Sequence, residues 1–324
     1  MLKLCLRLLV ETGEVPSSIV LEIAWKANLK GKHNLVTLHL EWNDGVNRVK
    51  IDFDVLGNLE PHRNLKALGI KGYRDNRFPR WMMDPLFPNL VVIGLVKCRN
   101  CQNLPALGQL PSLKDVYLEE LDVLQFIEGG SVVRKQREWF PSLKKIYLFA
   151  NPNLESWVKE EEVSLHSVVV LSVRNCPKLS TMPMLPSLEE LTIEKCSEKL
   201  MLSLLKVNPE KNAPSSSLPN SSSLANLKYL DISSCDDLLS LSEDGLQNLT
   251  SLVTLNIKFC PRMASLPEQG LGGLTSLVSL KISDCESLAS LSGMRYLTAL
   301  QKLHLARCEK MHILEGDMDG LTSP

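Results

Sequence analysis

Aliphatic residues recur along the chain at the first, fourth and sixth positions of a nine-residue unit whose ninth position is usually Cys or Asn. The clearest copies are Leu90-Ile93-Leu95-Cys98, Val168-Leu171-Val173-Cys176, Leu188-Leu191-Ile193-Cys196 and Leu227-Leu230-Ile232-Cys235. Three more follow: Leu252-Leu255-Ile257-Cys260, Leu277-Leu280-Ile282-Cys285 and Leu300-Leu303-Leu305-Cys308. Two copies, starting at Leu35 and Leu143, end on Asn43 and Asn151, and looser ones starting at Leu65 and Leu113 end on Tyr73 and Leu121. An apolar fourth and sixth position with a variable residue between them is the period of a short strand, its aliphatics on one side and the intervening residue on the other. Eleven such strands are therefore expected between Leu35 and Leu300, 20 to 39 residues apart.

No single copy can cover its own aliphatics, whereas stacked copies bury them in one continuous core. Three inward aliphatics contribute about 5–9 kcal/mol per copy before conformational entropy is subtracted. The spacing is that of leucine-rich repeats, and 61 of the 324 residues are leucine. The expected fold is an α/β leucine-rich repeat solenoid, a horseshoe with a parallel concave sheet and a mostly irregular convex side. The ninth residue must satisfy backbone groups where the chain turns off the strand. Asn does this with its amide, and Cys is a compact apolar substitute with a weak S–H donor. A second apolar anchor follows, as in Cys176-Pro177-Lys178-Leu179, and the pairs Leu104-Pro105 and Leu266-Pro267 are expected to keep the outer side extended.

The domain reading is an irregular N-terminal cap over residues 1–30, in which Leu2, Leu4 and Leu6 alternate like a strand, and a solenoid of about eleven repeats over 31–324. The longest gap holds a Ser/Pro-rich stretch at 208–223, read as a mobile loop. At the far end Gly320-Leu321-Thr322-Ser323 repeats the lead-in of earlier strands, so the stack is expected to stop without a closing cap.

Composition narrows the function classes. With 36 Lys plus Arg against 37 Asp plus Glu, the net charge of −1 does not favour a binder driven by overall positive charge, and no nucleic-acid partner is expected. No run of 18 apolar residues suggests a membrane span. Nine cysteines, seven of them at one repeat position, suit a reducing compartment better than a disulfide framework. The N-glycosylation patterns at Asn220 and Asn248 are short enough to arise by chance. Cys98 and Cys101 have metal spacing but no second pair, and the repeat already accounts for Cys98. His304, Cys308 and His312 are evenly spaced, but a strand and the turn after it would point them apart. No nucleophile elbow, zincin, EF-hand or P-loop pattern occurs. No enzyme, metal or cofactor is expected.

Binding is expected on the concave sheet, through the residue between the fourth and sixth positions. Along the chain it reads His39, Gly69, Gly94, Tyr117, Tyr147, Ser172, Thr192, Asp231, Asn256, Lys281 and His304, a varied series between constant aliphatics. Trp42, Phe149, Arg174, Tyr229, Lys258 and Phe259 are expected to share that face. Exposed aromatics on a rigid sheet make interface anchors, although cross-strand packing would also account for them. Residues 63–80 carry Arg63, Lys66, Lys71, Arg74, Arg77 and Arg80 against one acid, Asp75, which makes a candidate docking patch for an acidic partner as well as an ordinary solvated edge.

Several segments add a resemblance: ANLKGK at 27–32, LVTLHLEW at 35–42, FPRW at 78–81, CRNCQNLPALGQLPSL at 98–113, FPSLK at 140–144 and LESW at 154–157. Over about residues 27–324 the chain resembles the leucine-rich repeat region of plant intracellular nucleotide-binding disease-resistance proteins of the coiled-coil type. The resemblance implies a non-catalytic recognition module that senses pathogen effectors or modified host proteins and restrains a nucleotide switch. That switch has no counterpart in this chain. Its partners would be an effector, a guarded host protein or the switch domain, in the cytoplasm or between cytoplasm and nucleus. An alternative is the substrate-binding arm of an F-box ubiquitin ligase, whose repeats usually continue C-x-x-I-T-D where this chain has C-x-x-L. An extracellular receptor domain would usually carry L-x-G-x-I-P, which is absent.

Overall fold

The strands form where the repeat places them. The computed structural model describes residues 2–8, 17–42, 49–83, 87–128, 139–158, 164–205 and 224–312. The Ser/Pro-rich stretch at 208–223, Asn43, Asn220 and the final lead-in at 320–323 lie outside the described residues. The chain divides into two compact units, Met1–Glu161 and Glu162–Pro324.

In the first unit, β1 (Leu2–Leu8), β2 (Leu35–Trp42), β3 (Ala67–Lys71), β4 (Val92–Val96), β5 (Asp115–Glu119) and β7 (Lys145–Phe149) pair in that order, all parallel. The short strands β6 (Phe126–Glu128) and β8 (Ser156–Val158) form a separate parallel pair. Helices α1 (Ser17–Lys26), α2 (Val49–Asn58) and α3 (Arg80–Met83) fill the longer connections. The expected irregular cap thus contains regular structure. The alternation at Leu2, Leu4 and Leu6 becomes β1, which lies parallel to β2 as one more strand of the sheet.

In the second unit, β9 (Val170–Arg174), β10 (Glu190–Glu194), β11 (Tyr229–Ser233), β12 (Thr254–Lys258), β13 (Ser279–Ser283) and β14 (Lys302–Ala306) pair in sequence order, again parallel. Equivalent repeat positions lie side by side: Leu230 opposite Leu255, Leu255 opposite Leu280, Leu280 opposite Leu303. Leu230, Leu255 and Leu280 are fully buried, as are Ile232, Ile257 and Ile282. Outside the sheet are α4 (Glu198–Leu204), α5 (Glu243–Gln247) and α6 (Glu268–Leu271). The Leu266-Pro267 pair acts differently from expectation. Pro267 is itself extended, at φ −66° and ψ 126°, yet α6 begins at the next residue. Proline has no N–H, and the first helical turn requires none there, so it starts a short turn as readily as it prevents one.

Two positions join each repeat to its neighbour. The eighth residue is left-handed in ten of the eleven repeats: Gly72, Lys97, Glu120, Ala150, Asn175, Lys195, Ser234, Phe259, Asp284 and Arg307, with φ from 51° to 73°. For a residue with a Cβ this conformation costs about 1–2 kcal/mol. It aims the N–H at the seventh-position carbonyl of the next repeat, as from Lys97 to Glu119 (2.8 Å), Asn175 to Glu194 (2.7 Å) and Phe259 to Ser283 (3.0 Å). It also turns the ninth side chain inward.

At the ninth position, buried Asn151 closes two bonds to the preceding repeat. Its Nδ2 donates to the Leu118 carbonyl and its Oδ1 accepts from the Leu121 N–H, both at 3.0 Å. Cysteine does the same work with one atom. The Cys98 thiol donates towards the Ile70 carbonyl (3.8 Å) and the Val96 carbonyl (3.6 Å), while the Tyr73 N–H donates to its sulfur. Cys196 repeats this with the Val173 carbonyl (3.7 Å) and the Cys176 N–H. Burial pushes the thiols of both Cys98 and Cys196 up to about 12, so they remain protonated donors at neutral pH.

Candidate functional site

With the fourth and sixth side chains committed to the core, the residues between and beside them form the other face of each sheet. In the first unit, Gly69, Gly94, Tyr117 and Tyr147 are successive register partners across β3, β4, β5 and β7. The half-buried rings of Tyr117 and Tyr147 stack with centroids 4.5 Å apart and planes 3° apart, and Phe149 tilts against Tyr147 at 6.2 Å. Burial first, then the neighbouring Tyr147, raises the Tyr117 phenol above its ordinary value. His39 is exposed and its ring lies over Gly69, where a Cβ would come within 2.4 Å of Nδ1.

Trp42 is a correction: it is buried and meets the Tyr73 ring edge-on at 5.3 Å. Strand β2 continues through the eighth position, so Trp42 shares the inward side with Leu38 and Leu40 by simple alternation.

In the second unit the face centres on Asp231, which is 9% exposed. Its Oδ2 accepts from the Tyr229 hydroxyl (3.1 Å), Asn256 Nδ2 (3.1 Å) and Lys258 Nζ (3.0 Å), and Asn256 Nδ2 also donates to the Tyr229 oxygen (3.2 Å). Burial and then Asp231 raise the Tyr229 phenol. Lys281 lies in register between Asn256 and His304, the latter exposed. Arg174 reaches Glu194 at 3.6 Å. Phe259 is 51% exposed at the left-handed turn after β12, at the edge of the face and outside its central file. The network holds donors and acceptors in fixed places.

The basic segment is far less free than its sequence suggests. Lys71 pairs with Glu41 at 2.8 Å, and Arg77 lies 3.5 Å from Asp75 and over the Phe53 ring. Arg74 Nε donates to Asp52 Oδ2 at 2.9 Å, and the Asp52 side chain is only 3% exposed. Arg63, Lys66 and Arg80 are exposed. Arg74 therefore compensates a buried carboxylate supplied by α2, a structural duty that a docking role would have to share. Arg74→Ala is expected to cost about 2 kcal/mol, below the usual range for breaking a buried pair because Arg74 itself is partly exposed. Burial is the largest influence on Asp52 and raises its pKa despite Arg74. The folded chain thus holds this proton more tightly than the unfolded one. The contribution of Asp52 to stability is greatest in acid and falls as pH rises through its raised folded value. Urea midpoints at pH 4 and pH 7 check this, and the loss caused by Arg74→Ala should be larger at pH 7.

A family model described as R13L1/DRL21 LRRs matches residues 5–121. This is a leucine-rich repeat chain. It is similar to "Putative disease resistance RPP13-like protein 1" of Arabidopsis thaliana, 32% identical over 70% of this chain and 22% of the relative. It is also similar to "Putative disease resistance protein RGA1" of Solanum bulbocastanum, 37% identical over 65% of this chain and 22% of the relative. The leucine-rich repeat chain thus spans about a fifth of the length of these relatives, and it resembles the repeat region of plant disease-resistance proteins. Among solved structures, the leucine-rich repeat domain of the type III effector XCV3220 (XopL) shares the fold, with a TM-score of 0.54 and 19% identity over 85% of this chain and 98% of that one.

Cys98 and Cys101 are both buried, with their thiols committed to backbone carbonyls. The Cys101 thiol donates to the Asn103 carbonyl at 3.2 Å, and burial raises both thiols. Among the described residues no group of three His, Cys, Asp or Glu side chains is placed to hold a metal ion, and no helix is long and apolar enough to cross a membrane. Sequence reasoning found the file positions but missed Asp52, which lies on a helix outside the repeat. It also missed the bonding of Asp231, since residue type does not reveal which acceptor three donors will share.

Proposed function

We propose that the chain is a non-catalytic protein-recognition module of a plant immune receptor. Its sheet face binds a pathogen effector or a host protein that effectors modify, and it restrains a nucleotide switch, for which these 324 residues carry no P-loop pattern. The observation that carries the reading is the Tyr117–Tyr147–Phe149 cluster on a rigid parallel sheet, half-buried rings of the kind that anchor interfaces. The fixed polar set around Asp231 supplies directional contacts on the second unit. The similarity to disease-resistance proteins supports the cellular setting, a cytoplasmic or nucleo-cytoplasmic receptor.

Affinity purification from challenged and unchallenged plant cells tests this. A partner captured by the wild type should be lost by a Tyr117→Ala/Tyr147→Ala/Phe149→Ala triple variant whose thermal midpoint is largely retained. Equal capture by both forms would remove the face from the recognition reading.

A further inference from the structure

The file of side chains on the first unit has a gap. His39 covers Gly69 and the Tyr117 ring lies against Tyr147, but Gly94, between Gly69 and Tyr117, leaves its place open. A Cβ built on Gly94 would meet only Tyr117 Cβ, at 3.8 Å, among described atoms beyond its chain neighbours. Neighbouring strands are about 4.8 Å apart, close to the Tyr117–Tyr147 ring spacing of 4.5 Å. A flat group over Gly94 would therefore stack on the second face of Tyr117 and continue the ladder by one rung.

Charge decides which flat group. Tyr117 is flanked on β5 by Asp115 and Glu119. The register partners of Glu119 are Val96 and Phe149, both apolar. Its half-buried carboxylate makes no hydrogen bond or ion pair among the described residues. Asp115 has Val92 on one side and Lys145 on the other. The nearby cations are engaged elsewhere: Lys71 with Glu41, and Lys97 and Arg99 with Glu120. An aromatic ring in the gap would desolvate Glu119 further and give it nothing, a lysine offers no flat surface, and an acidic group would be repelled. A guanidinium has a planar face for the tyrosine and N–H groups for the carboxylate.

We propose that the gap over Gly94 receives an arginine side chain of a partner protein, its guanidinium stacked on Tyr117 and its N–H groups donating to Glu119. This rests on the recognition reading above and adds the chemistry of the residue recognised.

The test uses the full chain and blocked pentapeptides, acetyl-Gly-Gly-X-Gly-Gly-amide with X as Arg, Lys, Trp or Glu, followed by ligand-observed NMR at millimolar concentration. The arginine peptide should bind about fivefold or more tighter than the others, as a cation–π contact reinforced by a carboxylate implies. Glu119→Gln should weaken it about three- to tenfold, and Gly94→Tyr, which the open space admits, should abolish binding. Should Gly94→Tyr not fold, Tyr117→Leu serves in its place. Preference for the tryptophan peptide with no effect of Glu119→Gln overturns the arginine assignment, and so does failure of all four peptides to bind, even where capture from plant cells depends on the tyrosines. Arginine binding that obeys both variants, with capture indifferent to the triple alanine, overturns the recognition reading and leaves the site standing.

Discussion

Asn151→Leu is expected to destabilise the first unit by about 4 kcal/mol. The substitution keeps the volume but removes both partners of the Leu118 carbonyl and the Leu121 N–H, which face Asn151 at 3.0 Å. Each buried group left unsatisfied costs about 1–3 kcal/mol, and leucine leaves no room for a water to replace the amide. Asn151→Cys is the informative control. Sulfur accepts and donates in the same places at Cys98 and Cys196, so this variant should lose well under half as much. Urea denaturation of the two variants beside wild type makes the comparison. Equal losses would mean that the ninth residue acts through packing alone and that the sulfur contacts carry no energy.

Leu280→Ala is expected to cost about 2–5 kcal/mol, the range for a large-to-small change in a close-packed core. Leu280 is fully buried on β13 between Leu255 and Leu303, so the lost methyl groups contact two neighbouring repeats as well as their own. Lys281, one residue on, points to the other face and is half-buried. Lys281→Ala should change stability by less than about 0.5 kcal/mol, as surface substitutions usually do. Comparable losses at the two positions would contradict the assignment of one side to the core and the other to recognition. Because repeat stability is dominated by nearest-neighbour terms, the Leu280 defect should be felt most by the adjoining coils.

The inward series was legible because it combines two independent periods, alternation within a strand and recurrence between strands. Leu230, Leu255 and Leu280 satisfy both, and the structure places them side by side. Tyr117 and Tyr147 were legible for the same reason, as residues at equal positions in successive copies. Trp42 was misplaced because elsewhere the eighth residue is left-handed and leaves the alternation. Only Gly72, Asn175 and Asp284 are residue types that favour the turn, and Lys, Glu, Ala, Phe and Arg at the same position do not announce it. The Arg74 ion pair is not legible in the basic run because its carboxylate, Asp52, is 22 residues away on a helix that carries no repeat signature. Glu119 drew no notice in the sequence. Its interest lies in what stands beside it, two apolar register partners and a glycine gap, and only the pairing of strands brings these together.

The sulfur contacts have a chemical corollary. A thiol can occupy the asparagine place because it both gives and takes a proton bridge, and oxidation removes the first ability. A sulfinate lodged between two coils would direct negative oxygen at the very carbonyls it formerly served, with no water to dilute the repulsion. Burial guards against this, because a covered thiol held protonated is a poor target for peroxide, so the joints at Cys98 and Cys196 endure for as long as their coils stay closed.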